Sequence, residues 1–354
     1  MSLRTEISDH VLPLAHPFAT SRFTLTARRS LVLTVTDTGT GHVGRGEATP
    51  LEEFGTESYD DARAALAAAC CVIEGAMRHA HDIARCLTAR GAFPALDRAL
   101  ANTPTARFAV ECALRDLDAS LRGMSIAAVL AWEVGEGSVP DRVRVNAVLA
   151  GGDLATTAEA VRAAGFTCVK MKVGALAADD DVARVRTLRE MLGRDLQIRL
   201  DANGAWSEAQ AREICARFAP YDIEYIEQPV VATDVDALER LHRSGGIPIA
   251  ADEAVTDLAT AHALLVRDVA AVYILKPMAL GSLAACGHFA RAAVAAGRDV
   301  VFTSLIDGAI GRRAVAHLAA SLAQVCTRAH GLATGSLFTR DHFADRITHG
   351  HLQL

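Results

Sequence analysis

The sequence contains no apolar run that reaches the roughly 18 residues of a membrane span, so no transmembrane helix is expected. Residues Met1 to Glu6 lack the apolar h-region of a signal peptide, and a cytoplasmic location is the resulting expectation. A basic excess is also missing. With 36 Lys and Arg against 42 Asp and Glu, the net charge of −6 gives no electrostatic reason to expect nucleic acid. The 8 cysteines show no metal-finger spacing, and the adjacent Cys70 and Cys71 fall in a helix-like stretch, so reduced core thiols are expected. The histidines, among them His10, His16 and His42, likewise lack zinc spacing. Aromatics are scarce at 5%, so the apolar half of the chain is largely aliphatic, and stretches such as Ala64 to Ala69 favour helix. A length of 354 residues suits a large core and two domains.

The chain changes character near residue 140. Before it, the alternating run Ser30 to Thr36 reads as a strand, residues 37–41 as a turn, and Val43 to Ala48 as the returning hairpin partner. Helical periodicity follows at about 58–77, 79–90 and 104–122, the last stopping at Gly123. Strands followed by helices predict an α+β module. From Val143 onward the pattern is strand and helix in alternation, with strands near 143–148, 167–172, 197–201, 223–227, 247–251, 272–276 and 299–304. Right-handed crossovers then predict an α/β fold, a (β/α)₈-type barrel with an irregular last unit. An open doubly wound sheet would need a reversal of strand order, and the even spacing gives no sign of one.

Ionisable residues end these apolar runs in phase. Lys170 and Lys172 share one face of their strand. Arg199, Asp201 and Asn203 share a face of the next; Glu227, Asp252 and Lys276 end the three after it. Steps of about 25 residues match one strand, one helix and two loops, and parallel strands bring their C-terminal ends to one side. Each residue has a bland local explanation. Asp201 could cap a turn at Asn203, Glu227 could be a loop carboxylate before Pro229, Asp252 could be a helix N-cap, and Lys276 could snorkel. Together those readings require repeated accidents in phase with the strand repeat. Three carboxylates offer hard oxygen ligands that favour Mg²⁺, or Mn²⁺, over zinc. The pair of like-charged lysines at one strand end favours loss of a proton and suits a base.

Lys-x-Lys, Asp-x-Asn, Glu-Gln-Pro, Asp-Glu and Lys-Pro, in this order, resemble the enolase superfamily, specifically its muconate-lactonizing subgroup, over nearly the whole chain. Gly46 to Pro50 resembles that family's capping-domain hairpin, and Ala106 to Asp118 its helix before the barrel. The resemblance implies a capping domain at 1–125, completed by about 336–354, and a catalytic barrel at 126–335. It implies that Asp201, Glu227 and Asp252 bind Mg²⁺ and that Lys172 and Lys276 form the acid/base pair, with Lys170 easing proton loss from Lys172. A specificity loop is implied near His16 to Arg22. Thr20, Arg199, Asn203, Ser304 and Asp307 are the expected contacts to a small-molecule carboxylate, and a homo-oligomer is implied.

The subgroup includes cycloisomerases, racemases, dipeptide epimerases and o-succinylbenzoate synthases. Dipeptide epimerases generally carry an Asp-x-Asp pair near the last strand, and Ala329 to Phe338 has none. That stretch is similar to the synthases, as are Gly46 to Phe54, Lys276 to Gly281 and Thr303 to Gly311. Asp307 stands where many members have Glu, and Ser282 where a second Gly is usual. The expectation is therefore the dehydration that forms o-succinylbenzoate in menaquinone synthesis, with an epimerase, an N-acylamino acid racemase or a cycloisomerase as the alternative. A Schiff-base aldolase barrel leaves the carboxylates without a task, and a non-catalytic metal-binding protein leaves the lysines without one.

Overall fold

The computed structural model describes residues 2–19, 24–76, 93–134, 138–149 and 154–354. Its N-terminal sheet is antiparallel in the order β1 (Leu3–Ala19), β2 (Thr24–Asp37), β3 (Val43–Ala48). Alternation places Leu31, Leu33 and Val35 of β2 on one face, where they share a core with Leu66 of the helix Tyr59–Gly75 and Ala109 and Ala113 of the helix Pro104–Arg122. The expected strand at 30–36 is part of this longer β2, and the expected turn at 37–41 leads from it towards β3. β1 was not foreseen, because Pro13 and Pro17 interrupt its alternation; its register shifts between Pro13 and Phe18.

Pro104 opens the second helix, where its missing N–H costs nothing, and Gly123 ends it at a φ of 65°. β3 lies directly on this helix. A Cβ on Gly44 would stand 2.1 Å from the Ala113 carbonyl oxygen, and one on Gly46 1.9 Å from that of Ala109. The expected helix at 79–90 lies outside the described residues.

The expected strand at 143–148 is divided. β4 (Arg142–Arg144) turns away, and β5 (Ala147–Leu149) begins a run of seven parallel strands. The others are β6 (Cys168–Lys172), β7 (Gln197–Asp201), β8 (Ile223–Glu227), β9 (Ile249–Ala251), β10 (Val272–Leu275) and β11 (Asp299–Phe302), each beside its predecessor. Amphipathic helices between them bury one stripe against the sheet; Val185, Leu188 and Leu192 are one example.

His330 and Gly331 close the ring. The His330 amide donates to the Arg144 carbonyl at 2.8 Å and the Asn146 amide to that of His330 at 3.0 Å. On the other side the Gly331 amide donates to Phe302 at 2.8 Å and the Ser304 amide to Gly331 at 3.2 Å. The eighth stave is thus two residues long, the irregular last unit the spacing predicts.

Beyond it the chain crosses to the cap. Phe338 bridges Leu14, and the Thr339 amide donates to the Pro13 carbonyl at 2.9 Å. It does not stay with the cap to residue 354. β12 (Ile347–Thr348) and β13 (His351–Gln353) pair with each other, and β13 pairs with β4, whose edge the division of the first strand leaves free. No helix among the described residues is long and apolar enough to cross a membrane.

Candidate active site

Strand register assembles the ladder. Lys172 of β6 pairs with Asp201 of β7, and Asp201 pairs in turn with Glu227 of β8. These side chains therefore stand level at consecutive strand ends. Asp252 follows β9 and Lys276 follows β10, where Pro277 lacks the N–H to extend the strand. With β7, β8 and β9 between them, β6 and β10 stand four places apart in a ring of eight, so Lys172 and Lys276 face each other across it. Gln228 fixes the turn between two of the carboxylates. Its backbone has a φ of 41°, and its Oε1 accepts the amides of Asp252 and Ala254, each at 3.1 Å.

The carboxylates are buried, with Asp201, Glu227 and Asp252 only 2%, 1% and 5% exposed. Lysines meet them directly. Lys170 Nζ lies 3.1 Å from Asp201 Oδ2 and 2.9 Å from Glu227 Oε1. Lys172 Nζ lies 3.3 Å from Asp201 Oδ2 and also contacts Asn203 Oδ1, while Lys276 Nζ contacts Asp252 Oδ1. Burial works against the Lys170 charge, but Asp201 and Glu227 outweigh it and raise the pKa above the ordinary lysine value. Asp201 is the mirror case. Burial opposes its ionisation, and Lys170 and Lys172 overcome that and hold it below the ordinary carboxylate range. Burial draws Lys276 down to about 7 against the pull of Glu227.

Lys170, Lys172, Asp201, Asp252 and Lys276 line a cavity. The cap supplies Phe18, Leu51 and Phe54; the segments after β11 supply Leu305, Ile306 and Leu337. Lys276 Nζ stands 4.9 Å from the centre of the Phe54 ring and Lys172 Nζ 5.9 Å from that of Phe18, both within cation–π range. Asn203 and Ser304, two of the expected substrate contacts, line the cavity, the Ser304 hydroxyl paired with that of Thr334 at 2.7 Å.

Two expected substrate contacts are corrected. Arg199 precedes Asp201 by two residues and sits roughly 7 Å deeper in the barrel. There it is fully buried, bonded to Glu224 at 2.6 Å and to the Ala329 carbonyl at 2.7 Å. Asp307 lies behind the wall at the cap, with Oδ1 accepting the Leu305 amide at 2.7 Å. Thr20 falls outside the described residues, as does part of the expected specificity loop at 16–22.

Glu253, which the sequence reading left without a role, also lines the cavity and accepts from Asn203 Nδ2 at 2.9 Å. Its position directly after Asp252 was the available signal. Phe18, Phe54 and Ile306 carried none, because single apolar residues in loops look like any others.

As the side chains stand, no group of three His, Cys, Asp or Glu among the described residues is gathered as a metal cage, since lysines reach between the carboxylates. The donor chemistry nonetheless fits a hard divalent cation. Three buried carboxylates occupy adjacent strand ends, and a cationic ammonium already bridges two of them.

Comparison with known proteins agrees with this geometry. Residues 3–131 match the family model for the mandelate racemase / muconate lactonizing enzyme N-terminal domain, and residues 153–354 that for the enolase C-terminal domain-like family. The chain is 31% identical to muconate cycloisomerase 1-2 of Acinetobacter lwoffii, over 90% of this chain and 80% of that protein. It is 34% identical to the o-succinylbenzoate synthase of Thermobifida fusca (strain YX), over 64% of this chain and 69% of that one. In structure it is similar to the dipeptide epimerase from Enterococcus faecalis V583 complexed with Mg and the dipeptide L-Leu-L-Tyr. The TM-score is 0.87 at 24% identity, over 100% of this chain and 97% of that chain.

Proposed function

The chain belongs to the mandelate racemase / muconate lactonizing enzyme group of the enolase superfamily, and from that premise we propose that it removes the proton α to a substrate carboxylate and that its product is o-succinylbenzoate. The observation that carries the first half is the pair Lys172 and Lys276, placed on opposite sides of one cavity with Asp201, Glu227 and Asp252 on the staves between or beside them.

Asp201, Glu227 and Asp252 would hold Mg²⁺, with Mn²⁺ as a substitute. A divalent cation bound there supplies positive charge that offsets the second negative charge developing on the substrate carboxylate. Lys172 takes the α-proton. Lys276 stands on the other side as an ammonium that stabilises the same developing charge. The C–O bond to the ring hydroxyl of 2-succinyl-6-hydroxy-2,4-cyclohexadiene-1-carboxylate then breaks. The proton on Lys172 passes to the departing oxygen, so one water leaves and the ring becomes aromatic. Lys170 remains charged beside Asp201 and Glu227.

Two features support this product over its relatives. The upper cavity is apolar, with Phe18, Leu51, Phe54 and Leu337 suited to a carbocyclic ring. No Asp-x-Asp pair occurs between Ala329 and Phe338 to hold a substrate ammonium. Purified protein with Mg²⁺ is expected to form o-succinylbenzoate from that substrate, followed by ultraviolet absorbance, and Lys172→Ala to lose the activity. Wild-type protein that gives no product, or a variant as active as wild type, would sink the proposal.

The facing lysines also suit a two-base isomerase, the second reading. A racemase or epimerase washes solvent deuterium into the α-carbon of either antipode in D₂O. Label incorporation across a panel of dipeptides and N-acylamino acids, with no synthase activity, would favour it.

A further inference from the structure

The cavity wall that follows β11 contains a backbone conformation that its residue resists. Ile306 has a φ of 58°, the left-handed region, which a β-branched side chain enters only under constraint. Its side chain lines the cavity and packs with Leu12, Leu14 and Phe338. Since the residue does not favour this turn by itself, the surroundings must hold it.

Three groups do. Asp307 Oδ1 accepts the Leu305 amide at 2.7 Å, and the Ile306 amide donates to Ser304 Oγ at 3.3 Å. From the cap, Arg28 is only 4% exposed; its Nε donates to the Ile306 carbonyl at 3.3 Å and its Nη2 to the Thr49 carbonyl at 2.6 Å. One guanidinium therefore joins the β2–β3 sheet to the strained residue of the barrel wall. Two residues further on the chain is fastened to the cap as well, for the Gly308 amide donates to Glu47 Oε1 at 2.9 Å. Of these side chains Ser304 lines the cavity, whereas Arg28, Asp307 and Glu47 stand behind its wall.

We propose that Arg28 and Asp307 are positioning residues that clamp the Ser304–Ile306 turn and so set the shape of the substrate cavity from behind its wall. The clamp acts on substrate fit and not on proton transfer, a role that rests on the proposed function only in requiring that a substrate bind this cavity. The planar fork of Arg28 serves two carbonyls at once; a lysine in its place would keep the charge but offer a single point donor.

The test is amide hydrogen exchange followed by mass spectrometry on peptides covering 303–308, which needs no substrate. Arg28→Lys is expected to speed exchange there by about ten-fold or more while peptides of β6 to β8 stay within about two-fold. Unchanged exchange at 303–308, or equal acceleration throughout the barrel, overturns the proposal. Should Arg28→Lys fail to fold, the Asp307 pair decides. Asp307→Asn keeps an acceptor for the Leu305 amide and should exchange as wild type does, whereas Asp307→Ala should exchange faster; identical behaviour of the two overturns the clamp.

With any carboxylate that wild type turns over, Arg28→Lys should raise KM by about ten-fold and leave kcat within about two-fold. In an Ile306→Gly background the same substitution should change KM by less than about two-fold, because glycine takes a positive φ without help. A loss confined to kcat, or an undiminished effect in the glycine background, overturns the proposal. Failure of every carboxylate substrate would count against the proposed function alone, since the exchange measurement still decides the clamp.

Discussion

Lys170 and Glu227, 57 residues apart in sequence, meet with Nζ 2.9 Å from Oε1, and the same ammonium reaches Asp201 at 3.1 Å. One cation thus balances two carboxylates that are almost fully buried. Lys170→Met leaves both with less compensation, and breaking a buried pair costs about 3–5 kcal/mol. The expected result is a lower Tm by calorimetry and a fall in kcat/KM of about 100-fold or more. Arg217→Ala, which removes the half-buried partner of the exposed Asp179, is the control and should leave both nearly unchanged.

Metal dependence should follow the carboxylates. Dialysis against EDTA is expected to abolish activity and added Mg²⁺ to restore it. Glu227→Gln and Asp252→Asn each remove one anionic oxygen ligand, and titration calorimetry should find Mg²⁺ binding weakened by about ten-fold or more. Tight binding that survives both substitutions would move the metal away from these strand ends.

Asp307 gives a pH signature away from the reaction. Burial, with Glu47 beside it, raises its pKa from 3.8 to about 7 against the pull of Arg312 and Arg28. The native state therefore holds this proton more tightly than the unfolded chain does. Its contribution to stability is complete below about pH 4 and is lost as pH rises towards 7. Asp307→Asn stays neutral throughout. Between pH 5 and pH 8 the variant should gain on wild type by roughly 1–3 kcal/mol in denaturant unfolding. A difference between the two that does not vary with pH would refute the assignment.

Gly46→Ala tests how the cap is packed. The added methyl would meet the Ala109 carbonyl at 1.9 Å, and backbone cannot yield as a side chain can. A loss of about 3 kcal/mol or more, or failure to fold, is expected. Gly75→Ala, where an added Cβ meets nothing within 4 Å, should be tolerated.

The barrel was legible because parallel strands buried on both faces read as apolar runs, and an ionisable residue at the end of each run broke that pattern visibly. Lys172, Asp201, Glu227, Asp252 and Lys276 could all be found in this way. Arg199 obeyed the same alternation as Asp201, and alternation records a face but not a depth; that is why it looked like a substrate contact and lies beneath the site. β1 was hidden by Pro13 and Pro17. The wall at Leu305 and Ile306 was illegible for another reason, since its shape comes from Arg28 and Glu47 in a sheet more than 250 positions away.

The two-residue stave at His330 and Gly331 has a consequence for how the protein is made. The Arg144 carbonyl and the Asn146 amide find their partners only in a segment synthesised nearly 200 residues later. Pro13 waits longer still, for Thr339, 326 positions downstream. A chain still emerging from the ribosome therefore carries an open sheet with two bare edges and a β1 that lacks its contact with Phe338 and Thr339. Neither can be completed until residues 330–339 have left the exit tunnel, and the open edges are exposed to aggregation until then.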